Sequence, residues 1–199
     1  MGTMSLPVRL GVLLSGGGRT LQNLVDRIAD GSLPAKIEVV VSSDPGAFGL
    51  ERARRHGLPA VVVGRKSFPD ARTFSDAVTR ALEPHPIDLV IMAGFVHLYL
   101  FPEKWQGRVL NIHPALLPGF GGKGFYGHRV HEAVLRAGAK ESGCTVHFAD
   151  LRYDRGPIIL QRRVPVLPGD TPDTLAERVF REECLAYPDA ILRVAQGKA

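Results

Sequence analysis

The stretch Leu110-Asn111-Ile112-His113-Pro114-Ala115-Leu116-Leu117-Pro118 closes an apolar run that begins at Val109. Alternate side chains of a strand share a face, so Asn111 and His113 point the same way. Pro114 cannot continue a sheet ladder and biases His113 toward an extended backbone. The pattern predicts a buried parallel strand that stops at the histidine, with an amide and a titratable imidazole at its carboxyl end. In open α/β sheets ligands bind at that edge. A single histidine at a strand end is more often structural than catalytic. The Asn-x-His pair and its proline-stopped exit favour chemistry.

Upstream, short apolar runs alternate with helical spacing. Strands are predicted at Val8–Leu14, Ile37–Ser42, Ala60–Val63, Leu89–Ala93 and Arg108–His113. Helices are predicted at Thr20–Ala29, Ala47–His56 and residues 70–83, with a short one near Leu98–Lys104. Strands that are apolar throughout argue for a parallel sheet covered on both faces. After His113 the pattern changes. Residues 118–127 carry five glycines and read as a mobile loop over the site, followed by a helix from His128 to Ala137. Cys144–Phe148 and Ile158–Val166 read as strands around the turn-type sequence Asp154-Arg155-Gly156-Pro157, and Pro172–Val194 as a closing helix interrupted near Pro188. The predicted fold class is α/β, Rossmann-like, with a mainly parallel sheet, helices on both faces and a mixed or antiparallel C-terminal part.

Ser15-Gly16-Gly17-Gly18-Arg19-Thr20 lies between the first strand and the first helix. A glycine turn lets backbone N–H groups approach an anion, and the helix start adds free donors and a favourable dipole. Leu21 occupies the last glycine position of a dinucleotide fingerprint, and no Lys-Ser/Thr follows as in a Walker loop. A phosphate monoester fits better than either. The alternative is that the glycines merely make the turn.

With 199 residues, 45% of them hydrophobic, the chain suits one domain with a sizeable core. Residues 1–7 are expected to be a flexible N-terminus. Residues 8–199 are expected to form a single domain of two halves, 8–113 with the glycine turn and 114–199 with the glycine-rich loop and the later strands. No run near 18 apolar residues suggests a membrane span, and the first residues lack a signal-peptide apolar region. Only Cys144 and Cys184 are present, so neither a disulfide framework nor a zinc site is indicated. A cytoplasmic setting is the expectation. The charge of +5 is spread along the chain with no nucleic-acid motif beside it, which favours small phosphorylated or carboxylated substrates. His113, His128, His131 and His147 lack metal-site spacing, and no metal is expected.

The segment from Asn111 to Pro118 resembles the Asn-x-His-Pro-Ser-Leu-Leu-Pro signature of the folate-dependent formyltransferases, with Ala115 in place of the serine. The glycine turn resembles the Ser-Gly-x-Gly loop with which the glycinamide ribonucleotide formyltransferases hold a phosphate. Ala47–Ala53, Ala93-Gly94-Phe95, Gly143–Phe148, Gly156–Gln161 and Val164–Val166 are similar to that family in the same order. The resemblance implies transfer of a formyl group from 10-formyltetrahydrofolate to the amine of glycinamide ribonucleotide, in purine synthesis.

Carried over by position, the resemblance makes Asn111, His113 and Asp154 the catalytic residues, with Asp154 raising the histidine's pKa. It implies that 8–113 is the phosphate and ribonucleotide half and 114–199 the folate and catalytic half, and assigns Gly18, Arg19, Thr20 and Glu183 to the ribonucleotide. It assigns Arg72, Val96, His97, Leu98, Tyr99, Asn111 and Asp150, Leu151, Arg152, Tyr153 and Asp154 to the folate. His97 stands where arginine is often found, and Phe180 where a polar side chain usually helps hold the ribonucleotide. A cis bond at Leu117–Pro118 is also implied. From the residues alone, Asp154 serves equally well as a turn residue. The expected partners are small molecules, with no nucleic acid and no membrane, and a monomer or homodimer. Methionyl-tRNA formyltransferase and formyltetrahydrofolate hydrolase share parts of the signature, but resemble longer chains with additional domains. A non-catalytic nucleotide-binding module explains the glycine turn and leaves Asn111, His113 and Asp154 without a shared task.

Overall fold

The computed structural model describes residues 2–199. Its strands are β1 (Val8–Leu14), β2 (Ala35–Ser42), β3 (Ala60–Val62), β4 (Leu89–Met92), β5 (Val109–His113), β6 (Glu141–Phe148) and β7 (Ile158–Pro165). Its helices are α1 (Arg19–Ala29), α2 (Phe48–Arg55), α3 (Ala71–Leu82), α4 (His128–Arg136) and α5 (Pro172–Ala195). All seven strands form one sheet in the order β3-β2-β1-β4-β5-β6-β7. The pairings from β3 across to β5 are parallel, while β6 runs antiparallel to both β5 and β7. The expected mixed C-terminal part is therefore a hairpin added to a parallel sheet. It continues that sheet, with Asn111 opposite His147, so the sequence division at residue 113 cuts through a strand pair.

The period-two pattern of β1 shows why both faces must be covered. Val8, Leu10, Val12 and Leu14 enter one core with Leu21 and Leu24 of α1 and Val179, Tyr187 and Ile191 of α5. Leu13 enters the other with Phe74, Val78 and Leu82 of α3. Gly11 lies on the second face, where an added Cβ would come within 2.7 Å of Ile87. Burial of this apolar surface is the main stabilising term, at about 25 cal/mol per Å². Met4, in the segment expected to be flexible, donates its amide to the Ala195 carbonyl at 2.7 Å and packs on the first core. Residue 1 of that segment lies outside the described residues.

Two expectations about local structure change. No helix forms at residues 98–102; only a 3-10 turn at Glu103–Trp105 follows. The Leu98 and Leu100 amides donate to Tyr153 Oη and Ser75 Oγ instead of to helical carbonyls. Tyr99 and Phe101 are buried while Leu100 is half-exposed, a spacing of two that a helix cannot supply.

The second change concerns Pro188, which does not interrupt α5. A proline removes the amide that would reach the carbonyl four residues earlier, here Cys184. Asn23 of α1 donates its side-chain amide to that carbonyl at 3.1 Å. The helix also begins well, with Pro172 at its start and a reciprocal Thr171–Thr174 capping box. Near its end, Tyr187 is fully buried, with its hydroxyl 3.0 Å from the Met92 carbonyl and 2.8 Å from that of Leu110. One helix thereby anchors the two strands that lead to the site.

Candidate active site

A cavity of about 700 Å³ opens at the carboxyl ends of β4 and β5 and is walled by the starts of α1 and α4, the glycine loop and α5. Its size suits a small-molecule ligand. At its floor, β5 presents Asn111 and His113 to the same side, as their spacing required. The loop after β6 brings in Asp154, and β6 itself brings His147, directly opposite Asn111.

These four side chains form one network. Asn111 Nδ2 lies 3.0 Å from His147 Nε2 and donates to Asp154 Oδ1 at 3.3 Å. His147 Nδ1 faces the Phe148 carbonyl at 2.8 Å and so carries a proton. In the neutral ring, Nε2 accepts from Asn111; protonated, it turns donor toward Asp154 Oδ1, 3.6 Å away. His113 Nε2 donates to the Phe120 carbonyl at 2.8 Å, and its Nδ1 faces Asp154 Oδ2 at 3.6 Å. The same Asp154 oxygen accepts from the Gly122 amide at 2.8 Å. Phe120 and Asp154 are the two described non-glycine residues with left-handed backbones, at φ of 51° and 54°. Such conformations cost about 1 kcal/mol or more and concentrate at functional sites. Both belong to this network. Beneath it, the Leu117–Pro118 bond is cis, as the resemblance implied.

The electrostatics set two pulls against each other at His113. Burial depresses the pKa of His113 below its ordinary 6.5. The Asp154 charge and the Phe120 carbonyl pull it upward but do not overcome burial. Burial pushes the Asp154 carboxyl up, yet the neighbouring His147 ring, the His113 charge and the Gly122 amide together hold it below 3.8. Asp154 is thus an anion whose pull on His113 offsets part of the desolvation penalty. His131 of α4 also borders the cavity; burial, reinforced by His128 and His113, lowers its pKa to about 4.

A second cluster lies where α1 meets α5. Gly18 starts α1 at φ 69° and provides no side-chain cap, so the first amides of the helix lack that partner. The turn's carbonyls are tied to α2: Gly16 accepts from the Gly49 amide at 3.0 Å and Gly17 from Arg52 Nε at 2.9 Å. Arg19 and Thr20 border the cavity, as does Glu183. Burial pushes the Glu183 carboxyl up to about 7. The Arg19 guanidinium forms a two-pronged pair with Glu177, at 2.5 and 2.9 Å, and stacks 3.9 Å above the Phe180 ring.

Most of the residues expected to contact folate or ribonucleotide converge. Val96, His97, Leu98 and the stretch of Asp150, Arg152, Tyr153 and Asp154 border the cavity, and the Leu98 amide donating to Tyr153 Oη at 3.1 Å joins the two segments. His97 sits edge-on to Phe74 and Phe95, and burial lowers its pKa.

Four residues stand apart. Arg72 is exposed on the first turn of α3 and reaches only toward the Leu100 carbonyl at 3.5 Å; Leu151 is also exposed, and neither borders the cavity. Tyr99 touches the cavity edge, but its side chain is buried and its hydroxyl lies 2.9 Å from Thr79 Oγ1. Gly18 is turned toward α2, where an added Cβ would lie 2.6 Å from Gly49 Cα. Its lack of a side chain permits close helix packing. Sequence reasoning missed His147 and Glu177. His147 shares a strand face with Thr145, but only the β5–β6 register puts it beside Asn111.

Residues 8–191 match the family described as formyl transferase. The phosphoribosylglycinamide formyltransferase of Haemophilus influenzae is 35% identical over 192 residues, covering 96% of this chain and 88% of that one. A trifunctional purine biosynthetic protein adenosine-3 of Drosophila pseudoobscura pseudoobscura is 41% identical over 95% of this chain, which spans only 14% of that relative's length. Among solved structures, glycinamide ribonucleotide transformylase 1 of Symbiobacterium toebii superimposes with a TM-score of 0.88 at 41% identity, covering 99% of this chain and 90% of that one. A mixed sheet with Asn111, His113 and Asp154 gathered at its carboxyl edge agrees with these likenesses along nearly the whole chain, and the chain belongs to the phosphoribosylglycinamide formyltransferase family.

Proposed function

We propose that this protein transfers the formyl group of 10-formyltetrahydrofolate to the amine of glycinamide ribonucleotide. The observation that carries the reading is the convergence of Asn111, His113 and Asp154 at one end of a cavity whose other end is the uncapped start of α1. The ribonucleotide's phosphate fits the α1 end, where free amides and Arg19 favour an anion. The folate fits between the segments at Val96–Leu98 and Asp150–Asp154. The two ligands then bring amine and formyl carbon together over Asn111 and His113, so orientation supplies part of the rate enhancement.

The amine attacks the formyl carbon and a carbon–nitrogen bond forms, leaving negative charge on the formyl oxygen. The bond from that carbon to the folate nitrogen then breaks, the amine loses a proton and the folate nitrogen gains one. A preorganised donor at the oxyanion is worth about 3 to 4 kcal/mol. Asn111 has both amide hydrogens engaged inside the network, and the longer contact, to Asp154 at 3.3 Å, is the one a formyl oxygen displaces. His113 supplies a second, charged donor when protonated, and Asp154 favours that state. The Phe120 carbonyl must leave His113 Nε2 for this to happen, so the glycine loop shifts when substrate binds.

Incubating the protein with the formyl-folate and glycinamide ribonucleotide, while following the absorbance change on folate release, tests the reading. Saturable turnover that requires both substrates is expected. Release of the folate at the same rate without the amine substrate would instead identify a hydrolase.

A further inference from the structure

Arg19 is held in two different ways. Phe180 offers a flat surface beneath the guanidinium at 3.9 Å, a cation–π contact that leaves all its N–H groups free. Glu177 takes its Nη1 and Nη2 donors in the fork geometry that a phosphate also uses. The ion pair is exposed on both sides, 50% for Arg19 and 56% for Glu177, so little stabilisation is lost when it breaks. The carboxylate also has somewhere to go. Arg181 lies one helical turn further along α5, and its charge already contributes to the lowered pKa of Glu177.

We propose that Glu177 is a built-in stand-in for the substrate's phosphate: it occupies Arg19 in the free protein and yields it to an incoming phosphomonoester, swinging toward Arg181. The inference rests on the reading of the α1 start as the phosphate end of the cavity. It adds a specificity device to that reading. Glu177 satisfies Arg19 but caps none of the α1 amides. A phosphate engages both at once and carries more charge than the carboxylate, so it displaces Glu177, whereas a carboxylate ligand gains little by the exchange. Phe180 keeps the guanidinium plane in place while the partners change. The cation thus comes from α1, and Phe180 of α5 supplies its platform.

Calorimetric titration with ribose 5-phosphate tests this in wild type, Glu177→Gln, Arg19→Met and the double variant. Glu177→Gln keeps the shape and removes the competing charge. It should bind the probe about two- to fivefold more tightly, the range open to an exposed ion pair. The gain should vanish in the Arg19→Met background, where the contested cation is missing. Equal or weaker binding by Glu177→Gln would overturn the proposal and make Glu177 a buttress for Arg19. A gain that persists without Arg19 would also overturn it, by showing a general effect of charge. The two readings fail separately. Turnover with glycinamide ribonucleotide but no gain in Glu177→Gln removes only the stand-in, whereas the gain without turnover removes only the assigned reaction.

Discussion

Asn111 and His147 face each other across the β5–β6 pair, with the amide nitrogen 3.0 Å from the imidazole. The contact fixes which way the Asn111 amide points, because His147 Nε2 accepts in the neutral ring. His147→Ala should therefore lower kcat by about 10 to 10², less than Asn111→Ala, which removes the donor itself and should cost 10² or more. The double variant should lose far less than the product of the two. Steady-state kinetics on the three variants check this, and a simple product would show that His147 acts apart from Asn111.

Asp154 sits at φ 54°, a conformation that asparagine tolerates, so Asp154→Asn should remain folded. Loss of the negative charge removes the upward pull on His113. Activity that needs the imidazolium should then disappear at lower pH on the alkaline side, with kcat down by about 10² to 10⁴. The stability effect has the opposite pH sense. The Asp154 carboxyl titrates below 3.8 in the folded chain, so its contribution is present above that pH and is lost as the pH falls through the folded value. The melting-temperature gap between wild type and variant should be widest above about pH 4 and close below it. A constant gap would contradict the assigned ionisation.

His131 gives a test in a different window. Its folded pKa is about 4 against an ordinary 6.5, so the unfolded chain binds a proton that the folded chain refuses between those values. Stability should fall as the pH drops from 6.5 toward 4. Its Nδ1 is buried without a partner, so His131→Leu removes an unpaired group rather than a hydrogen bond. Thermal melts should show a shallower acid slope for the variant. A slope equal to that of wild type would refute the assignment.

Tyr99→Phe separates a core role from a ligand role. Losing the contact with Thr79 should reduce stability by about 1 kcal/mol, while folate affinity stays as in wild type. A weakened folate affinity at full stability would return Tyr99 to the binding surface.

Gly18→Ala should act through packing. The added methyl meets the Gly49 backbone at a position where φ is already 69°. The cost should be 1 kcal/mol or more, seen as a lower melting temperature. A phosphate-specific loss with unchanged stability would reverse that view.

The strands were legible because their signal is local. The apolar run through Leu110 and the stop at Pro114 place His113 at a sheet edge without reference to the rest of the chain. Asn111 and His113 follow from alternation alone. His147 does not, since its partner depends on the antiparallel β5–β6 register, across a connection that runs through residues 114–140. Arg19 was identified as a cation near the helix start, but its partner Glu177 lies 158 positions away. The depressed pKa of His113 was likewise hidden, because its burial is a property of the folded chain that no local pattern carries. Tyr99 borders the cavity with its neighbours, while alternation turns its ring inward.

Pro188 extends that lesson to the history of the chain. Its missing amide and the side chain of Asn23 are complementary, so the two positions constrain each other although they lie on different helices. Asn23 shares α1 with Arg19, and Cys184 follows Glu183 on α5. The hydrogen bond that rescues the proline therefore also pins together the two walls of the cavity beside Arg19 and Glu183. Exchanging Pro188 for a residue with an amide would return a helical partner to the Cys184 carbonyl and release Asn23 from this duty. Substitutions at 23 and 188 should accordingly travel together through descent, with the width of the pocket as the inherited trait.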